Sequence, residues 1–345
     1  MSAQRAILTS ATAELVLEVI EGALVISHWG MPLGKISGDA RLAMTPSVTN
    51  SGFDTVQNPG VMREGSRGFL GRSALSGHRN GKAWSSYFSV TSFDASTHSV
   101  EVEMHDASAA LTLGFSFAMD SHGVLSIQAK IKNTGSDQYT LNEFIYWLPL
   151  PQEAAQTLDF AGRWSNERHP QRRDIATGTW VRDSREGRSG HNFTIAQVAL
   201  EASTTFASGS AWALSSAWSG NNQNLVERTA EGFQAIGAGE LLLPGEVILE
   251  AGQDYVAPRV VAVFSSAGLD GVTDSFHRHI RARAQHPKRP RPLTLNMWEA
   301  LYFDHNEEKI KALIDVAAEI GIERVVLDDG WFHARRDDRA GLGDW

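Results

Sequence analysis

Two stretches, Leu293-Thr294-Leu295-Asn296-Met297-Trp298-Glu299-Ala300 and Val325-Val326-Leu327-Asp328-Asp329-Gly330-Trp331-Phe332, decide how this 345-residue chain is read. The short apolar runs Leu293 to Asn296 and Arg324 to Leu327 read as buried strands, because a continuous apolar run suits a parallel sheet covered on both faces. Between them, Asp304 with Glu307 three residues on offers a capping box. Ile310, Leu313, Ile314, Ala317 and Ile320 then recur on one face of a helix, and Gly321 ends it. A crossover of this length sets the two strands parallel. The unit reads as the opening βαβ of a parallel α/β barrel, an architecture that keeps its chemistry at the C-terminal ends of its strands.

Upstream, His286-Pro287-Lys288-Arg289-Pro290-Arg291-Pro292 carries three prolines, which cannot continue a helix and stiffen a linker. Before it, Leu269, Val272, Phe276 and Ile280 share a helical face. Earlier still, the chain is a succession of alternating runs. Leu15, Leu17 and Val19 lead through Glu21-Gly22 into a second run from Ala23 to Ser27, a hairpin. Val100, Val102 and Met104 alternate with polar residues. So do Leu111, Leu113, Phe115 and Phe117, and the turn Asp120-Ser121-His122-Gly123 leads to Ile127, Ala129 and Ile131. Period two predicts half-buried antiparallel strands with one wet face, and so many of them predict packed sheets. Three segments result: an enlarged, all-β antiparallel sandwich with a terminal linking helix over 1–285, a Pro/basic linker over 286–292, and the start of a (β/α)8 barrel, incomplete as it stands, over 293–345.

With 31 Lys and Arg against 40 Asp and Glu, the formal charge of −9 argues against nucleic acid, whose binders rely on basic patches. The absence of cysteine removes disulfides, thiolate metal sites and a Cys nucleophile. No apolar stretch approaches the ~20 residues that span a bilayer, and the first residues lack the core of a signal peptide. The expectation is a cytoplasmic protein with no membrane partner. Ten tryptophans could wall a sugar pocket, since indole faces stack on apolar C–H surfaces, but most are expected to fill the core.

Asp328 and Asp329 fall where the second strand ends. Carboxylates there are costly unless partnered by ligand or by a cation. As neighbours on a strand they point to opposite faces, so they cannot straddle a glycosidic bond as nucleophile and acid, which needs carboxyls about 5–5.5 Å apart for retention. Both suit accepting hydrogen bonds from vicinal hydroxyls; a helix cap or a salt bridge to a nearby arginine is the competing reading. Trp298 and Glu299 lie on the same rim by topology, where Trp298 could wall a sugar or pack the lip. Gly330 lets the backbone turn sharply before Trp331. No His-Glu-x-x-His occurs, and Gly341-Leu342-Gly343 lacks the third glycine of a dinucleotide loop, so no metal and no cofactor are expected.

The run from Leu295 to Asp304 and the run from Val326 to Phe332 closely resemble glycoside hydrolase family 36, the microbial α-galactosidases. Gly162-Arg163-Trp164-Ser165-Asn166-Glu167-Arg168-His169, Trp218-Ser219-Gly220-Asn221 and the closing Gly341 to Trp345 are similar to it too. The resemblance implies an N-terminal β-supersandwich before the barrel and a retaining hydrolase that releases terminal α-linked galactose from raffinose-type oligosaccharides. It implies that Asp328 and Asp329 bind the galactose 4- and 6-hydroxyls, that Trp298 is the barrel-mouth tryptophan, and that Arg163 and Trp164 are lent to the sugar site, often across a subunit contact in a homo-oligomer such as a tetramer. It also implies that the nucleophile and the acid/base lie beyond Trp345, so this chain alone is expected to be an inactive N-terminal portion. Glu186-Gly187-Arg188-Ser189-Gly190-His191 departs from that family, with Glu where many members carry Arg and Gly where they carry Ser. Two other readings stand beside it: a stand-alone carbohydrate-binding β-module, and an α-N-acetylgalactosaminidase of the same family.

Overall fold

The strand Leu111–Met119 shows what builds the first unit: every odd-numbered residue from Leu111 to Met119 is buried and every even-numbered one is half-buried. Its neighbours Ser99–Asp106 and Val124–Asn133 run antiparallel to it, with Val102 opposite Phe115 and Phe115 opposite Ala129. These belong to a ten-stranded sheet that runs from Asn166–Asp174 at one edge to Ser89–Ala95 at the other. Smaller antiparallel sheets complete the fold. One joins Tyr146–Leu150, Gln234–Glu240, Asn222–Arg228 and Gly178–Ser184. Another joins Arg5–Thr9, Glu14–Ile20 and Ala23–Gly30. The computed structural model describes residues 4–34, 59–194 and 196–341.

One continuous core joins the inward residues of the large sheet (Leu113, Phe115, Ile127) to those of the smaller sheets (Leu15, Leu17, Trp147, Leu225, Ile236). A second cluster lies on the large sheet's other side, where Val198, Ala213 and Val263 meet Val272 of the helix Gly268–Ala282, with Leu269 and Phe276 against it. This is a double-layered, mostly β unit of residues 1–282, with residues 283–345 forming a second unit. The hairpin at Glu21-Gly22 is present, both residues having positive φ. Its strands do not keep one wet face, however. Leu15, Val16 and Leu17 are all buried, as are Leu24, Val25 and Ile26, so the sheet is covered on both sides there. Ile280, expected on the helix's apolar face, is exposed.

The second unit pairs Thr294–Asn296 with Arg324–Val326 in parallel, Asn296 opposite Val326. The helix Glu307–Glu319 crosses between them and ends at Gly321, where φ is +84°. Three expectations are corrected. The cap is Asn306, whose Oδ1 accepts from the Glu308 and Lys309 amides; Asp304 sits too early and pairs with Lys309 Nζ instead. The strands are not buried: among the described residues the sheet has two strands, no residue of either is buried, and Leu293 and Leu327 beside them are exposed. Of the helix's apolar stripe only Ala317 is buried, while Ile314 and Ile320 face solvent.

The tryptophans also depart from expectation. Trp29, Trp147 and Trp212 are buried, but Trp84, Trp164, Trp180, Trp218 and Trp331 are exposed and Trp298 is half-buried. Trp345 lies outside the described residues.

Candidate functional site

Parallel pairing places the ends of the two short strands side by side, so the residues that follow each meet. Met297 donates its amide to the Val326 carbonyl at 3.1 Å and is fully buried, which anchors the start of the turn Trp298–Leu301. Asn296, the last residue of the first strand, works in two directions. Its Oδ1 accepts from the Trp298 amide at 2.9 Å, and its Nδ2 donates to Asp328 Oδ2 at 2.6 Å. Asp328 and Trp298 are therefore held through one side chain. Asp328 caps nothing, and its carboxylate is half-buried.

Asp329 has a different environment. It does not continue the strand but opens the 3-10 turn Asp329–Trp331, so strict strand alternation does not orient it. Its carboxylate takes both ends of the Arg335 guanidinium, Nε to Oδ1 at 2.9 Å and Nη2 to Oδ2 at 2.8 Å. The salt-bridge reading is correct for this residue. The Arg335 hydrogen bonds and charge hold the Asp329 carboxyl below the usual carboxylate range. Arg335 is buried and lies 5.2 Å from the Phe303 ring, which packs edge-on against Trp298 at 4.9 Å. Tyr302 packs on the same indole at 5.3 Å. The two carboxylates, Trp298 and a cluster of aromatic rings thus form one connected constellation.

Gly330 lies inside the turn Asp329–Trp331 and is closely packed. Its φ is not positive; instead, a Cβ there would stand 2.9 Å from the His305 ring. Both His305 nitrogens are buried without a hydrogen-bond partner. Sequence reasoning missed Asn296, Arg335 and His305 as members of the site. The Arg335-Arg336 pair six residues after two adjacent carboxylates was the available signal for one of them.

Arg163 and Trp164 sit in the first unit, at the tip of the hairpin Gln156–Arg163 and Asn166–Asp174. Gly162 marks an irregularity there, where a Cβ would come 2.7 Å from the Asn166 carbonyl, and Ser165 and Arg168 have positive φ. Arg163 Nη1 donates to the Trp164 carbonyl at 3.3 Å, and Trp164 is 77% exposed. Among the described residues no cluster of three or more His, Cys, Asp or Glu could hold a metal ion, and no helix is long and apolar enough to cross a membrane.

Comparison with known proteins gives a consistent picture. The model of the glycosyl hydrolase family 36 N-terminal domain matches residues 22–250, and the melibiase model matches residues 254–345. An α-galactosidase of Escherichia coli is 31% identical over 340 residues, covering 98% of this chain and 48% of its own length. The α-galactosidase AgaA of Geobacillus stearothermophilus is 35% identical over 253 residues, covering 71% of this chain and 34% of its own. The crystal structure of AgaA superposes with a TM-score of 0.88 at 26% identity, over 99% of this chain and 52% of that one. A variant of AgaA in complex with raffinose gives 0.85 at 25% identity over the same shares. The chain spans half or less of the length of these curated relatives.

Proposed function

The chain belongs to glycosyl hydrolase family 36, and on that premise we propose that it forms part of an α-galactosidase, with its second unit as the start of a (β/α)8 barrel whose mouth receives the galactose. One observation carries the reading: Asp328 and Trp298, joined through Asn296, stand together where two parallel strands end. That is the end at which barrel enzymes place their chemistry.

Asp328 accepts hydrogen bonds from sugar hydroxyls, its other contact being the neutral Asn296 amide. Charge-assisted bonds of this kind are short and about twice as strong as neutral ones. Asp329, kept ionised by Arg335, supplies a second fixed acceptor, and Trp298 offers an apolar face to the ring carbons. Neither carboxylate is the nucleophile or the proton donor of a retaining hydrolysis. They are adjacent in sequence and separately engaged, whereas that reaction places two carboxyls about 5–5.5 Å apart across one bond. Arg163 and Trp164 contribute to sugar recognition from the exposed hairpin of the first unit, in a homo-oligomeric enzyme acting on raffinose-type substrates without a cofactor or metal.

Calorimetric titration of the chain with galactose and raffinose tests this. Saturable binding that Asp328→Ala weakens by about tenfold or more, the worth of a hydrogen bond to a charged group, is expected. Undiminished binding in Asp328→Ala refutes the assignment. The 345-residue chain by itself is expected to leave p-nitrophenyl α-galactoside intact, and turnover by it would overturn the roles given to the two aspartates.

A further inference from the structure

Tyr302 holds a backbone conformation that its side chain disfavours. Its φ and ψ are +47° and −118°, outside the three main regions open to a residue with a Cβ. The Asp304 amide donates to the Leu301 carbonyl at 2.9 Å, which closes a β-turn with Tyr302 as its first central residue. Those angles belong to a type II′ turn, where glycine dominates that place. Among the described residues Tyr302 is the one aromatic residue with positive φ. A bulky residue in such a conformation is strained, and strain persists only where the surroundings over-determine it.

What Tyr302 gains is not burial, since it remains 52% exposed. It gains two contacts with the turn Trp298–Leu301. Its ring stands 5.3 Å from the Trp298 indole at an interplanar angle of 70°, and its hydroxyl donates to Glu299 Oε2 at 3.1 Å. Phe303, the next residue, meets the same indole at 4.9 Å and 89°. Both are edge-to-face contacts, a geometry that aromatic pairs prefer. Consecutive side chains on a strand point apart, so the turn is what brings two neighbouring rings onto one indole. Glycine in place of Tyr302 would suit the backbone and leave Trp298 held by Phe303 alone. We propose that Tyr302 is a positioning residue: its ring, kept in a glycine-type turn, fixes the plane of the Trp298 indole and so the apolar wall offered to the sugar. The fixing of the indole stands on the geometry of the turn; its effect on the sugar rests on the α-galactosidase reading.

Fluorine NMR of the full chain labelled with fluorotryptophan reads the indole directly, Trp298→Phe assigning its signal. Tyr302→Gly should move that signal toward the position of a free, solvated indole, and Tyr302→Phe, which keeps the ring, should hold it in place. Galactose binding followed by calorimetry should weaken about fivefold in Tyr302→Gly, the worth of one aromatic pair, and change little in Tyr302→Phe. Amide exchange over residues 293–341 should be no faster in Tyr302→Gly, because glycine relieves the turn; a residue with a merely structural role would speed it. An unmoved Trp298 signal in Tyr302→Gly, or faster exchange throughout the second unit, overturns the proposal. A signal that moves while galactose affinity is undiminished overturns the role in sugar recognition. If the parent chain binds no galactose but the signal moves, the α-galactosidase reading of this site fails and the positioning of the indole stands.

Discussion

Glu227→Gln is the substitution whose cost follows most directly from the structure. Glu227 is 5% exposed and sits on the strand Asn222–Arg228. It accepts from Arg63 Nη2, from Thr179 Oγ1 at 2.9 Å and from the Arg72 amide at 2.9 Å. Glutamine has the same shape but no charge, and it turns one acceptor into a donor that must face groups which themselves donate. The Arg63 guanidinium is then left uncompensated. It is stacked 4.5 Å from the Phe69 ring and 4.2 Å from the Trp147 ring, and burial already pulls its pKa down to about 10. Cation–π contacts return only about 0.5–2 kcal/mol each, whereas breaking a buried ion pair from one side costs about 3–5 kcal/mol. At ~2 °C per kcal/mol, the low end for units of a few hundred residues, the melting temperature should fall by roughly 6–10 °C. Urea unfolding followed by far-UV circular dichroism gives the free energy, and the Arg63→Met/Glu227→Gln double variant, which removes the stranded charge, should recover part of the loss. A Glu227→Gln protein within about 1 kcal/mol of the parent, well short of the loss expected for a broken buried pair, refutes the reasoning.

Arg335→Met should raise the Asp329 carboxyl back toward its ordinary range, read by NMR titration. The folded-state value is lowered, so the pair stabilises above the unfolded carboxylate value and is lost as pH falls through the folded one; the variant should therefore lose less stability on acidification below about pH 4. Asn306→Ala should cost about 1 kcal/mol by removing the cap of the helix Glu307–Glu319, while Asp304→Ala, at an exposed surface pair, should cost less than half as much; equal effects in chemical denaturation would contradict the cap position. Gly330→Ala should displace the His305 ring and weaken galactose binding in calorimetry without lowering the unfolding midpoint of the β unit.

The β unit was legible where burial is one-sided. Leu111 to Met119 alternate because one face meets the core and the other does not, and period two reports that directly. The reading failed at Leu15 to Leu17, where both faces are covered and an uninterrupted apolar run carries no phase. The helix Glu307–Glu319 was legible from its stripe, but its cap was not, since Asp304 and Asn306 are equally plausible capping residues until the backbone shows which has extended φ and ψ. Asp328, Asp329 and Trp298 were visible as residues, and their proximity followed from parallel pairing. Their partners were not visible, because Asn296 lies 32 residues from Asp328 and no local pattern joins them. The neighbourhood of Arg63 was invisible altogether: Val25, Arg63, Trp147 and Gln234 come together only through the packing of sheets.

The outward placement of Trp84, Trp164, Trp180, Trp218 and Trp331 has a spectroscopic consequence. Indoles in water emit at longer wavelength than shielded ones and are readily quenched by acrylamide. The intrinsic fluorescence of this protein therefore reports mainly on its hydrated surface. Quenching that outer population first would leave a blue-shifted residual emission from Trp29, Trp147 and Trp212, and with it an optical window onto the interior that needs no added label.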